Sequence, residues 1–127
     1  MTSAVLDSSA VLAYLEREPG ATVVERYFGD SLISGVNAAE VFTKLVLRGA
    51  TLDIAKRLFD GLDIAISDFT RDLAKDAGAL VAQTKPHGLS LGDRACLALA
   101  RREHLSVLTA ARAWKDVDVG VEIRVIR

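Results

Sequence analysis

Three acidic residues, Asp7, Glu40 and Asp93, share a setting: each stands at the carboxyl end of a short apolar run or in the first turn of the helical pattern behind it. In an open α/β sheet that rim is where ligands bind. The positive end of a helix dipole favours an ionised carboxylate there, so the three groups are expected to carry charge at neutral pH unless they crowd one another. Carboxylates gathered without imidazole or thiolate make a hard, all-oxygen site, which suits Mg²⁺ or Mn²⁺, whereas Zn²⁺ recruits nitrogen or sulfur. The other metal-binding types do not compete. His87 and His104 have no ligand-like spacing and read as surface residues, and Cys96 lies in the apolar run Ala95–Ala100 and reads as a buried thiol.

Each acid also has a purely structural reading. Asn37-Ala38-Ala39-Glu40 and Ser90-Leu91-Gly92-Asp93 both have the spacing of a capping box, in which the acid at the third helical position reaches back to the capping residue's amide. Asp7 would cap the first helix in the same way. The functional reading draws its weight from coincidence: three acids at one rim, each on a different strand-to-helix unit.

The elements that must position them alternate. Ala4 to Leu6 reads as a strand, followed by a helix from about Ala10 to Glu16, a stop at Pro19-Gly20 and a short helix around Ala21 to Tyr27. Leu32 to Ser34 is a second strand, Asn37 opens a helix ending near Gly49, and Leu52 to Phe59 is a further helix. Leu62 to Ile66 reads as a third strand and Thr70 to Thr84 as one long helix, with Leu73, Ala77, Leu80, Val81 and Thr84 on one face. After the loop Lys85–Gly88 come a helix from Ser90 to Arg102 and strands at Leu105–Thr109 and Val121–Ile126. Short strands alternating with helices predict a parallel sheet covered on both faces, a small three-layer α/β sandwich, with right-handed crossovers.

With 127 residues the chain is expected to form a single domain over 1–127, burying roughly two-thirds of the surface its unfolded form exposes, without disulfides. Hydrophobic residues at 50% and charged residues at 26% are ordinary globular usage. Sixteen basic against seventeen acidic residues give a formal charge of −1, which excludes bulk positive charge as the means of holding nucleic acid but allows a local basic rim. Aromatics at 6% argue against a base-stacking platform. The segment Met1–Asp7 has neither a basic start nor a long apolar stretch, and no run approaches the roughly 20 apolar residues of a membrane span, so a cytoplasmic location with no membrane partner is expected. Val11, Leu12, Tyr14 and Leu15 give the first helix an apolar surface suited to core packing, to a homodimer or to a docking partner.

Taken in order, Val5-Leu6-Asp7-Ser8-Ser9-Ala10-Val11-Leu12-Ala13, Asn37-Ala38-Ala39-Glu40-Val41, Leu91-Gly92-Asp93-Arg94-Ala95-Cys96-Leu97-Ala98-Leu99-Ala100 and Val107-Leu108-Thr109-Ala110 resemble a PIN domain, specifically a VapC-type toxin. The resemblance spans nearly the whole chain. It implies a five-stranded parallel sheet of order 3-2-1-4-5 and a metal-dependent endoribonuclease, the toxin of a toxin-antitoxin pair. Such a toxin cuts cellular RNA of the tRNA or rRNA class until a cognate antitoxin blocks its site.

Carried over residue by residue, Asp7, Glu40 and Asp93 correspond to the first three acids of the family's quartet, with Asp7 and Asp93 as direct ligands of Mg²⁺ or Mn²⁺. Glu40 would ligate through water or orient the attacking water, and Ser9 and Thr109 would hold the geometry around the metal. Arg94, Arg112 and Lys115 would form the cationic rim that holds RNA. The fourth acid of the family falls two residues after the threonine, where this chain has Ala111 within Thr109-Ala110-Ala111-Arg112-Ala113-Trp114. The flanks keep the family pattern, so a single aspartate-to-alanine exchange accounts for the difference. Asp116 and Asp118 lie nearby and read as solvated loop acids.

Two other function classes compete. An impaired PIN-fold protein that only binds antitoxin or RNA follows from Ala111. A receiver-type phosphoryl-transfer domain would want paired acids after the first strand and a lysine after the fifth; here the first strand supplies Asp7 alone and the fifth ends Ile126-Arg127, which ranks it last.

Overall fold

The computed structural model describes residues 3–127. Met1 and Thr2, the start of the segment read as lacking a leader, lie outside the described residues. Five strands, β1 (Ala4–Leu6), β2 (Ser31–Ser34), β3 (Ala65–Ser67), β4 (Ser106–Thr109) and β5 (Ile123–Val125), form one all-parallel sheet of order 3-2-1-4-5. The expected topology is therefore the observed one.

Seven helices connect the strands among the described residues: α1 (Ser8–Leu15), α2 (Ala21–Glu25), α3 (Gly35–Leu47), α4 (Leu52–Asp60), α5 (Arg71–Ala79), α6 (Val81–Thr84) and α7 (Leu91–Glu103). The period-2 alternation of strand side chains divides the core in two. Ala4 and Leu6 of β1, Ile33 and Leu108 pack with α1 to α4 on one face. Val5 and Val107 pack with Leu73, Ala77, Leu80, the Cys96–Ala100 run and Trp114 on the other. Helices thus cover both faces, and the carboxyl ends of β1, β2 and β4 open along one edge.

Several boundaries differ from the sequence expectation, each for a local reason. Helix α1 begins at Ser8, two residues early, because the Asp7 carbonyl already accepts the amides of Ala10 and Val11. Helix α3 begins at Gly35, because Ser34 at the end of β2 caps it through the Val36 amide, and Asn37 therefore does not open it. The long helix expected over 70–84 is two helices. At Leu80 the backbone turns to ψ −8°, and the Leu80 carbonyl collects the amides of Gln83 and Thr84 and the Thr84 hydroxyl. Leu80 still faces the core, which is why the apolar spacing runs unbroken across the turn. Strand β3 starts at Ala65 and not at Leu62, because Asp63 takes the left-handed conformation (φ 55°); Leu62 and Ile64 are buried but unpaired.

The first helix spends its apolar surface on the core: Val11 is fully buried and Leu12, Tyr14 and Leu15 pack against the same cluster, with Tyr14 edge-on to Phe28 at 4.7 Å. Large exposed apolar side chains stand elsewhere, chiefly Val46, Leu47, Leu52, Ile54 and Leu58 of α3 and α4. The turn between α1 and α2 depends on Gly20, whose φ is +96° and where a Cβ would come within 2.8 Å of the Ile126 carbonyl oxygen. No helix among the described residues is long and apolar enough to cross a membrane.

Trp114, 2% exposed, fills the space between β4 and the far-face helices, as expected for a residue anchoring the segment after β4. Trp114→Ala is expected to cost about 3–5 kcal/mol, a large part of the roughly 5–15 kcal/mol that holds a domain together. A urea unfolding midpoint that stays put would show that the segment after β4 is not anchored there.

Candidate active site

Asp7 immediately follows β1, and its side chain is 3% exposed. It does not cap α1 with its carboxylate, contrary to the capping reading of the sequence. Two hydroxyls on different elements donate to Asp7 Oδ2 instead: Ser9 Oγ at 2.5 Å from the first turn of α1, and Thr109 Oγ1 at 2.9 Å from the end of β4. Their own oxygens are occupied in turn. Ser9 Oγ accepts the Ala110 amide and Thr109 Oγ1 accepts the Ala111 amide, so the chain after β4 is clamped onto Asp7. Asp7 Oδ1 has no hydrogen-bond partner among the described residues.

Glu40 lies in the second turn of α3. It is not half of a capping box with Asn37, since Ser34 already caps that helix. Its Oε1 accepts Asn37 Nδ2 at 2.8 Å and Ser8 Oγ at 3.2 Å. Its other oxygen packs on the backbone of α7: a Cβ on Gly92 would sit 2.8 Å from Glu40 Oε2. Asn37 is fully buried and also donates to the Gly92 carbonyl at 3.0 Å, tying α3 to the start of α7, while its own Oδ1 is buried without a partner.

Asp93 does form the expected capping box: Ser90 Oγ accepts the Asp93 amide and Asp93 Oδ2 accepts the Ser90 amide at 2.8 Å. The structural and functional readings of this acid are compatible, because the cap occupies one carboxylate oxygen and leaves the other. The same division holds for all three acids. One oxygen is fixed by protein donors, and the second is free of them.

The electrostatics place the three acids in one neighbourhood. The Asp7 pKa is raised to about 6, chiefly by burial and in smaller part by the charges of Asp93 and Glu40, against the lowering effect of its two hydroxyl bonds. The buried Cys96 thiol beneath them is also held well above its ordinary value, first by burial and then by Asp7, Asp93 and Glu40, so it is inert as a nucleophile. Among the described residues no three such side chains close on one point as a finished chelate. The donor chemistry nevertheless fits a hard divalent cation: three carboxylates with a free oxygen each, and the orphaned amide oxygen of Asn37, which no protein group satisfies.

Ala111 is two residues past Thr109, half-buried, with its amide on Thr109 Oγ1, so its side chain stands within one residue of the Asp7 clamp. Asp116 and Asp118 are exposed, as expected of solvated loop acids. The cations expected at the rim separate. Arg112 and Lys115 line a common cleft, whereas Arg94 does not line it and has a buried Nε without a partner. His104 is exposed and His87 half-exposed, as expected of residues outside a site. Sequence reasoning missed Ser8, Asn37 and Gly92. The signal for Asn37 was present in its spacing to Glu40, but it read as a cap.

A PIN domain family model matches residues 4–120. The chain belongs to the PIN domain family. Solved structures share the fold. A toxin-antitoxin complex from Klebsiella pneumoniae is 19% identical with a TM-score of 0.75, covering 98% of both chains. A DNA-bound VapBC from Salmonella typhimurium is 15% identical with a TM-score of 0.73, again covering 98% of both. A sarcin-ricin loop cleaving VapC toxin from Mycobacterium tuberculosis is 16% identical with a TM-score of 0.65, covering 84% of this PIN domain and 87% of that chain. No curated protein sequence matches significantly.

The raised pKa of Asp7 sets a pH dependence for the metal-free PIN domain. The folded state holds this proton more tightly than the unfolded chain, so the contribution to stability is complete below about pH 4 and is lost as pH rises through about 6. At 1.36 kcal/mol per unit the loss is about 2–3 kcal/mol. Asp7→Asn is expected to remove that slope, seen as a wild-type-minus-variant difference in urea midpoint that changes between pH 4 and pH 7. A difference independent of pH would place the titration elsewhere.

Proposed function

We propose that this PIN domain is a VapC-type toxin, a Mg²⁺- or Mn²⁺-dependent endoribonuclease that cuts cellular RNA of the tRNA or rRNA class and is silenced by a cognate antitoxin. The observation that carries the reading is the division of labour in the three carboxylates, each with one oxygen fixed and one left free, at the strand ends of a PIN fold. The fold-sharing toxin-antitoxin complexes support the toxin role, and the sarcin-ricin loop cleaving toxin supports the rRNA class.

In this reading Asp7 and Asp93 would hold the cation, and Glu40 would ligate it through water or orient the attacking water. Such a cation, when bound, activates water and neutralises the charge that develops on the scissile phosphate. The protein's own contribution is orientation. Ser9 and Thr109 fix the Asp7 carboxylate in one rotamer, Asn37 and Ser8 fix Glu40, and the Ser90 cap fixes Asp93. Holding the carboxylates before substrate arrives removes a reorganisation cost from the reacting complex. RNA is held at the rim by Arg112 and Lys115, which share a cleft; Arg94, the third cation the resemblance offered, does not line it. An antitoxin presenting an arginine or lysine to the acids would block the pocket by charge-assisted hydrogen bonds. We place the toxin in the cytoplasm, as one domain over 1–127 and as a homodimer.

Ala111 favours a second reading, in which the chain as it stands binds antitoxin or RNA and cuts poorly. Loss of a carboxylate from a metal shell costs about 10- to 100-fold in affinity or activity. Ala111→Asp is expected to raise Mn²⁺-dependent cleavage of total cellular RNA by at least that factor, with chelator or a further Asp93→Asn abolishing it. Equal rates with and without the Ala111→Asp exchange would put position 111 outside the site, and no cleavage by either form would favour the binding reading.

Metal binding is also read without RNA. Millimolar Mn²⁺ or Mg²⁺ is expected to raise the thermal midpoint of the chain, by linkage to the folded state, where NaCl of equal ionic strength does little. A midpoint indifferent to divalent metal would remove the shared site.

A further inference from the structure

Behind the segment that follows β4 lies a cleft of about 500 Å³, lined by Arg112, Lys115, Ile123, Arg124, Val125 and Arg127. Four cations and no acidic side chain line it, in a chain whose net charge is −1. Lys115 and Arg124 have no carboxylate partner among the described residues. Arg112 Nε donates to the backbone oxygen of Arg127 at 3.2 Å, and Arg124 Nη1 donates to the neutral Tyr27 hydroxyl at 2.9 Å. Arg127 has a carboxylate, Glu18 at 3.4 Å, and Lys115 has no partner among the described residues. Like charges collected in one concavity are held apart from their counterions at a cost, and an anionic ligand relieves it.

The walls of the cleft are tied to the Asp7 corner through β4 and β5. Val125 pairs with Thr109 across β4 and β5, the Ile126 amide donates to the Thr109 carbonyl, and the Thr109 hydroxyl donates to Asp7. On the other wall, Arg112 follows Ala111, whose amide is bonded to the same hydroxyl. A polymer with its reacting phosphate at Asp7 therefore meets this cleft with its next units. Three of the four cations are arginines, whose planar forks match phosphate oxygens in pairs, and Ile123 and Val125 supply an apolar floor between them.

The geometry points to this cleft at the β5 edge as the track for the sugar-phosphate backbone of a single RNA strand flanking the cut, with Arg124 and Arg127 as phosphate contacts beside Arg112 and Lys115. The inference rests on the nuclease reading, and it takes the rim away from Arg94. An acidic polypeptide segment is the competing occupant, and the test separates the two.

Binding of a labelled 20-nucleotide single-stranded RNA by the full chain is measured in EDTA, so that nothing is cut, from 50 to 200 mM NaCl. Lys115→Gln changes an exposed side chain without a bond and leaves the fold alone; Arg112→Gln and Arg124→Gln extend the series. Each is expected to weaken binding several-fold and lower the salt slope by about 1, while Lys75→Gln on exposed α5 changes neither. Cleft variants that bind RNA like Lys75→Gln overturn the track, and so does a loss of polyglutamate binding with RNA binding intact. Mn²⁺-dependent cleavage by the Ala111→Asp form is run alongside. Cleavage that persists undiminished in the cleft variants overturns the track and leaves the nuclease reading standing, whereas RNA binding through the cleft with no cleavage by any form overturns the nuclease reading alone.

Discussion

A carboxylate shut inside the edge of a sheet needs donors, and Asp7 takes both of its own on a single oxygen, from Ser9 and Thr109. Those two hydroxyls join β1, the first turn of α1 and the end of β4 into one rigid corner, and they accept the amides of Ala110 and Ala111 in return. The arrangement is costly for the fold on its own. It holds a buried acid whose charged form is disfavoured by burial and by Asp93 and Glu40, and the two hydroxyl bonds offset that only in part. The remaining polar contacts repeat the same pattern, with Asn37 and Ser8 on Glu40 and Ser90 on Asp93.

The fold was legible because its signals are periodic. Alternation within β1 and β4 separates two cores, and strands alternating with helices allow few topologies other than a parallel sheet. Boundaries were less legible, because they are decided by single backbone events: the Ser34 cap, the left-handed Asp63 and the turn at Leu80 leave no mark in apolar spacing. The candidate acids could be picked out by residue type and place, but their supports could not. Asn37 and Glu40 are three residues apart in a helix whether the asparagine caps or props, and only the position of the helix start decides between them.

Gly92 illustrates a constraint that belongs to neither a turn nor a special backbone angle. It lies in the first turn of α7 with room for a side chain only if the Glu40 carboxylate moves. Its hydrogen in place of a methyl lets α3 and α7 approach at the carboxyl edge of the sheet, where Asn37 bridges them to the Gly92 carbonyl. Close helix approach here serves the placement of a charge as much as packing.

The strand order has a temporal side. Asp7 is among the first residues of the chain, and the hydroxyl that orients it belongs to Thr109, at a separation of 102 residues. Its strand lies in the middle of the sheet between partners from the first and last thirds of the chain. Contacts of such range form late because the intervening loop must close first. The oriented Asp7 carboxylate is therefore a product of the closing stage of folding and cannot form within any local stretch of the chain.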